Sequence, residues 1–183
     1  MINKISSLFL LIILSPIFLI IVVMILIDDQ FPLLFKQKRV GKNNTYFYIY
    51  KFRTMKKDSP DIATHLLKDK NKYYTLTGPF LRRFSLDELP QLFNIIKGEM
   101  DFVGPRPALY NQIDLIKLRT QAKVHNLSPG ITGWAQINGR DDLEISEKVN
   151  YDKYYLKHKS TSLNIKIIIL TILKVLKSEG VAK

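Results

Sequence analysis

The hydrophobic pattern divides the chain at residue 30. From Ile5 to Ile27 there are 23 residues without a charge, of which 19 are apolar and the others are Ser6, Ser7, Ser15 and Pro16. Such a run predicts a helix long enough for a bilayer, which takes ~20 apolar residues. Its length, the lone Lys4 before it and the lack of a small-residue cleavage pattern before Asp28-Asp29 favour a retained anchor over a cleaved signal peptide. Ser15-Pro16 sits at its middle. Pro16 has no N–H for the carbonyl of Ile12, so a kink is expected there, with Ser15 helping to satisfy the freed backbone groups. These residues fit a kinked spanning helix and a helix that breaks, enters one leaflet and returns equally well.

Beyond Phe31 the elements are short. Leu33–Gln37 and Tyr46–Met55 flank Gly41-Lys42-Asn43-Asn44, which reads as a β-hairpin. Alternation puts Tyr46, Tyr48, Tyr50 and Phe52 on one face and Phe47, Ile49, Lys51 and Arg53 on the other. Residues 56–77 are polar, with a short helix expected over Ile62–Asp69. A helix over Leu89–Lys97 stops at Gly98. Its start has two registers: Ser85-x-x-Glu88 as a capping box, or Asp87 as N-cap with Pro90 in the first turn. A further helix is expected over Leu109–Val124. Leu163–Lys177 reads as an amphipathic helix with Lys166, Lys174 and Lys177 in one stripe; too interrupted to span, it suits a membrane interface. The expected class is α+β, mainly helical. It comprises a membrane helix over residues 1–30 and a domain over 31–183 with a small hairpin and amphipathic interfacial helices.

Charge changes this picture. The 183 residues carry 28 Lys and Arg against 16 Asp and Glu, a formal net charge of +12, and every basic residue but Lys4 lies after the apolar run. The mean hydropathy of -0.01 averages two unlike regions. So basic a body calls for an anionic partner: nucleic acid, a membrane surface or a phosphorylated substrate. It also places the body on the cytoplasmic side of a membrane. The chain has no cysteine, which excludes disulfides, a thiolate nucleophile and cysteine-built zinc sites. There is no Walker loop, G-x-S-x-G, H-E-x-x-H or dinucleotide fingerprint, and His65, His125 and His158 are isolated.

Four segments hold the remaining chemistry. Asp87 and Glu88 are adjacent carboxylates at a helix start, just after Arg82 and Arg83. Catalysis and simple capping both fit them. Pro105-Arg106-Pro107 is a stiff turn that would hold a guanidinium against a phosphate at low entropic cost. Lys51 and Arg53, side by side at a strand end, could grip a phosphate or simply be solvated. Ser128–Arg140 joins three glycines to the only Trp, which suits a nucleotide or sugar or else anchors a loop. Together they suggest phosphoryl transfer with an Asp nucleophile and a hard divalent cation. A membrane-tethered basic module that binds anionic lipid or nucleic acid would share the charge and the anchor without needing Asp87 or Glu88.

These motifs carry a resemblance. Gln37-x-Arg39-x-Gly41, Tyr50–Met55, Ser85–Gln91, Val103–Pro107 and Pro129–Gln136 occur in the order seen in the bacterial sugar transferases, the monotopic polyprenyl-phosphate glycosyl-1-phosphate transferases, from about Ser15 to Val181. The resemblance implies a cytoplasmic-membrane enzyme that starts capsule, O-antigen or glycoprotein glycan assembly. Ser15-Pro16 would be the break of a re-entrant helix with both ends cytoplasmic. Asp87 would attack the sugar-linked phosphate of a UDP-sugar, expel UMP and pass the phosphosugar to undecaprenyl phosphate in a ping-pong cycle. Glu88 would bind Mg²⁺, and Arg82 and Arg106 would contact phosphate, assisted by Lys51 and Arg53. Pro105, Gly130, Thr132, Trp134, Gln136 and Arg140 complete the implied binding set. An N-acetylated sugar, 6-deoxy included, is the implied donor, and nucleic acid is not an implied partner. Two positions depart from the family pattern: Asn164 replaces a common Asp, and Asp101 a common Ser. Asp152, Tyr154 and Tyr155 match it and are assigned to structure.

Overall fold

The computed structural model describes residues 2–29, 31–60, 70–139 and 143–177. The helix expected over Ile62–Asp69 and the candidate Arg140 lie outside the described residues.

Helix α1 (Ile2–Asp29) runs through Ser15 and Pro16 without interruption. Ser15 Oγ donates to the Ile12 carbonyl at 2.8 Å, the acceptor that Pro16 leaves without an N–H. The pair therefore repairs the backbone locally, and the expected break is not a gap in the helix. One stripe of α1, at three- and four-residue spacing, lies on the body along its whole length. Asn3 Nδ2 donates to Asp101 Oδ1 at 2.7 Å, and buried Ser7 donates to the Leu92 carbonyl at 2.9 Å. Leu11, Leu14, Phe18, Ile21 and Ile25 continue the stripe into the core. At the far end Asp28 accepts from the Leu76 and Thr77 N–H groups and the Thr77 hydroxyl. The opposite face, including Ile5, Phe9, Ile12, Ile20, Val23 and Ile27, is uncovered.

The hairpin forms as expected. Strands β1 (Leu34–Val40) and β2 (Tyr46–Phe52) pair antiparallel from Leu34↔Phe52 to Val40↔Tyr46. Asn43 and Asn44 supply left-handed residues in the turn. Tyr46 and Tyr48 are exposed while Phe47 and Ile49 are buried against Leu92, Ile95 and Met100. Phe52 follows the tyrosine face but is covered by α1, its ring edge-on to Phe18 at 5.3 Å.

Between the hairpin and the C-terminal half lie α2 (Gly78–Arg83) and α3 (Gln91–Lys97). Strand β3 (Asp101–Val103) follows, then β4 (Ala108–Leu109), which joins the free edge of β1. The chain here was expected to be helical already; instead α4 spans only Ile113–Gln121. Pro107 keeps Arg106 extended, and the extended run continues through Leu109 before the helix begins. Strand β5 (Gly130–Thr132) then pairs parallel with β3. Three helices close the fold: α5 (Trp134–Ile137), α6 (Ile145–His158), opened by a Glu144/Glu147 capping box, and α7 (Thr161–Leu176). In α7, Ile167 is buried with Val103, Ile137 and Tyr155, while Ile165, Ile168, Ile169, Ile172 and Leu176 remain uncovered. The whole is a mainly helical α+β arrangement, as its sequence pattern predicts.

Candidate functional site

The chain enters the site through Ser85, whose left-handed backbone (φ 53) swings it into a 3-10 turn over Leu86–Glu88. Neither expected register for the next helix holds. Ser85 does not cap the turn, and α3 begins only at Gln91 with Pro90 in the preceding position. Because Pro90 donates no N–H, it is accommodated there, and Leu86–Glu88 closes its own turn through the Leu89 N–H and the Leu86 carbonyl at 3.3 Å. Asp87 and Glu88 consequently sit side by side on a tight turn and are 5% and 8% exposed.

Facing them is Lys51 of β2. Its Nζ lies 2.7 Å from Glu88 Oε1 and 3.9 Å from Asp87 Oδ2. Arg106 Nη2 donates to the same Glu88 oxygen at 3.1 Å. Lys51 is thus committed to the two carboxylates rather than paired with Arg53 as a solvated strand end. Arg53 is itself enclosed, at 5% exposure. Arg82 stands at the rim: Nε donates to Thr54 Oγ1 at 3.1 Å, Nη1 to the Tyr74 hydroxyl at 3.2 Å, and the guanidinium lies over the Tyr74 ring.

This arrangement separates the two acids. Burial pushes the Asp87 carboxyl above the ordinary aspartate value, beyond the opposing pull of Lys51, and the neighbouring Glu88 charge adds to the rise. Burial also acts upward on Glu88, but Lys51 and Arg106 outweigh it and hold that carboxyl far below its usual range. Glu88 is a fixed anion clamped by two cations. Asp87 is the more basic, less tightly held oxygen pair, which suits a nucleophile. Three cations against two carboxylates leave the corner positive before any substrate arrives. A hard divalent ion binds through one or two carboxylates plus substrate phosphates. Asp87 and Glu88 fit that requirement. They do not form a cage alone, since no group of three or more ligating side chains converges among the described residues.

The register that brings Lys51 to the acids rests on a residue the sequence reading passed over. Asn94 of α3 is fully buried; its Oδ1 accepts from the Tyr50 N–H at 3.1 Å and its Nδ2 donates to the Tyr48 carbonyl at 2.7 Å. It stitches α3 to the edge of β2 at Tyr48 and Tyr50, the second of which immediately precedes Lys51. An asparagine inside Leu92-Phe93-Asn94-Ile95-Ile96, where a buried polar group must find partners, was the available signal.

The glycine-rich segment is engaged elsewhere. The Gly130 N–H donates to the Pro105 carbonyl at 3.0 Å, and the Gly104 N–H to the Thr132 carbonyl at 2.9 Å. A methyl group at Gly130 would collide with the Gly104 nitrogen. The Thr132 hydroxyl pairs with that of Thr171 at 2.6 Å. Trp134 stacks on Tyr154 with ring centres 5.3 Å apart. Gln136 differs: it is 7% exposed, and neither polar atom of its amide meets a hydrogen-bond partner among the described residues. Of the two departures, Asn164 Oδ1 accepts from the Tyr155 hydroxyl at 2.8 Å. Burial, aided by Asp101, pushes that hydroxyl up to about 12, so it remains a donor. Asp101 accepts from Asn3 at the start of α1.

A family model described as bacterial sugar transferase matches residues 1–178. Among curated relatives, the uncharacterized sugar transferase EpsL of Bacillus subtilis (strain 168) is 43% identical over 96% of this chain and 86% of its own length. The undecaprenyl-phosphate glucose phosphotransferase of Komagataeibacter xylinus is 41% identical, and the UDP-N-acetylgalactosamine-undecaprenyl-phosphate N-acetylgalactosaminephosphotransferase of Aeromonas hydrophila 36% identical, each over 91% of this chain. This chain spans only 34% and 40% of the length of those two proteins.

Proposed function

The chain belongs to the bacterial sugar transferase family, and from that premise we propose that it transfers a sugar 1-phosphate from a UDP-sugar to undecaprenyl phosphate, with release of UMP. The observation that carries this reading is the buried Asp87–Glu88 pair facing Lys51 and Arg106. In the first step an Asp87 oxygen attacks the sugar-bearing phosphorus. The bond from that phosphorus to the bridging oxygen breaks, and UMP departs with the electron pair. An aspartyl phosphosugar remains. In the second step an oxygen of undecaprenyl phosphate attacks the same phosphorus, the bond to Asp87 breaks, and the carboxylate is regenerated beside a diphosphate-linked sugar. Arg106 and Arg82 offset charge on the donor phosphates. Glu88, with the donor phosphates, would hold Mg²⁺, which supplies the countercharge the corner's single surplus cation cannot. Lys51 keeps both acids aligned. Gln136, with its unsatisfied buried amide, is the part of the glycine-rich segment best suited to contact substrate.

The membrane placement belongs to the same proposal. Helix α1 is long and apolar enough to cross a bilayer. Its 28 residues extend about 42 Å at 1.5 Å per residue. Both of its ends nevertheless hydrogen-bond to the body, at Asp101 and at Leu76–Thr77. Crossing upright would draw that charged body into the hydrocarbon, so a helix that dips into one leaflet, with both ends and the basic body on the cytoplasmic side, is the arrangement we propose. The uncovered faces of α1 and α7 would meet lipid.

The test is UMP release by the detergent-purified chain with Mg²⁺ and undecaprenyl phosphate, across a panel of UDP-sugars that includes glucose, N-acetylgalactosamine and N-acetylated 6-deoxy sugars. An N-acetylated donor is the proposed preference. Release that needs the lipid phosphate for sustained turnover supports the reading; no release with any donor overturns it in favour of a basic binding module.

A further inference from the structure

The turn that presents Arg106 has a feature its two prolines do not explain. Residues 103–109 are buried except Arg106, which alone reaches outward to Glu88. Three consecutive carbonyls of the turn each accept a hydrogen bond from a different element. The Pro105 carbonyl accepts from the Gly130 N–H of β5 at 3.0 Å. The Arg106 carbonyl accepts from Arg119 Nη1 of α4 at 2.8 Å. The Pro107 carbonyl accepts from Arg39 Nη1 of β1 at 3.0 Å. Arg119 is itself fixed: its Nε and Nη2 meet Asp152 Oδ2 of α6 at 2.9 and 2.7 Å, and the two residues are 8% and 1% exposed. A buried ion pair of this kind is costly to desolvate and weak evidence for stability by itself. Here its third hydrogen bond is spent on the one residue of the turn that faces the site.

We propose that Arg119, held by Asp152, and Arg39 are positioning residues for Arg106: they clamp the backbone of the 105–107 turn so that the Arg106 guanidinium is held against Glu88 and the phosphate site. The proposal rests on the phosphosugar-transfer reading only for its kinetic test. Prolines 105 and 107 stiffen the turn by fixing φ and donate no N–H of their own, so the turn is tied to the rest of the fold through its carbonyls. Two guanidiniums and one amide from three separate elements do that. A displacement of the order of 1 Å at a charge-stabilising group costs about 10²-fold in rate, which sets the scale of what the clamp protects.

Arg119→Lys and Arg39→Lys keep the charge and lose the second hydrogen-bonding arm, so they perturb the clamp without orphaning Asp152. Each is made in the wild-type chain and in an Arg106→Lys background, and kcat/KM for UMP release is measured alongside the melting temperature. In the wild-type chain each is expected to lower kcat/KM about 10- to 100-fold, and in the Arg106→Lys background by less than about 3-fold, the signature of residues acting through one partner. Equal losses in both backgrounds, or no loss, would overturn the proposal. A turnover-independent measurement separates it from the functional reading: hydrogen exchange over residues 104–109 is expected to quicken in both variants. Unchanged exchange there contradicts the clamp even in a chain that releases UMP. Quickened exchange in a chain that releases none would leave the clamp standing and the transfer reading fallen.

Discussion

Two segments of this chain have the density of a ligand site in sequence, and the fold uses them in opposite ways. In the Asp87–Glu88 corner it gathers side-chain charge: two buried carboxylates, Lys51 between them and Arg106 on Glu88. In the 130–136 segment it gathers backbone: Gly130 and Gly104 pack so closely that neither Pro105 nor Thr132 could take its hydrogen bond if a side chain intervened. The first segment holds the groups proposed to react; the second braces the turn that carries Arg106 toward them. Glycines and a lone tryptophan therefore do not by themselves mark a nucleotide cradle.

The largest expected effect lies in the corner. Asp87→Asn keeps the volume and removes the nucleophile, and turnover is expected to fall by about 10³-fold or more in a UMP-release assay, with the melting temperature little changed. Residual activity within about 10-fold of the wild type would move the reactive role elsewhere. In the other segment the effect should fall on stability. Gly130→Ala forces a methyl group onto the Gly104 nitrogen and is expected to cost about 1–3 kcal/mol, read as a lowered denaturation midpoint. A midpoint unchanged from the wild type would show that the close approach is dispensable.

A titration divides the two acids within the corner. Burial raises Asp87 while Lys51 and Arg106 hold Glu88 down. If Asp87 is the nucleophile it attacks only when ionised, so kcat/KM should rise with pH through a limb above the unperturbed aspartate value of ~3.9, and Glu88 should contribute no limb there. A rate that is flat through that region down to pH 4 would refute the separation. The smallest effect is expected at Trp134. Trp134→Leu breaks the stack on Tyr154, worth about 0.5–1.5 kcal/mol, and should lower the midpoint slightly while changing kcat/KM by less than about 10-fold; a larger kinetic loss would return that ring to the site.

Much of this was legible before any coordinates. The hairpin was written in the alternation of Tyr46 to Ile49, α7 in its apolar periodicity, and the long helix α1 in 23 uncharged residues. The acids could be named because Asp87 and Glu88 stand together beside arginines. What could not be read was non-local. Both faces of α1 are apolar, so nothing in the pattern marks the stripe from Asn3 to Asp28 that docks on the body. Strand β4 is two residues long, and the β3–β5 pair is parallel across a 26-residue separation, beyond any local periodicity signal. For Lys51 a phosphate grip and a solvated strand end both stayed open, because its partners come from a turn that begins 36 residues later. Asn94 and Arg119 are ordinary polar residues until the fold buries each beside a backbone group that needs it, and the half-buried Arg39 shows its partner only in the fold.

Transfer by the proposed route requires Asp87 to carry the phosphosugar between the two steps. Incubating the purified chain with its UDP-sugar and Mg²⁺, without lipid phosphate, and recording the intact protein mass tests it most directly. One added phosphosugar per chain is expected, located on the peptide containing Asp87 and absent from Asp87→Asn. UMP release with no adduct on the wild-type chain, or an adduct that persists in Asp87→Asn, would contradict it.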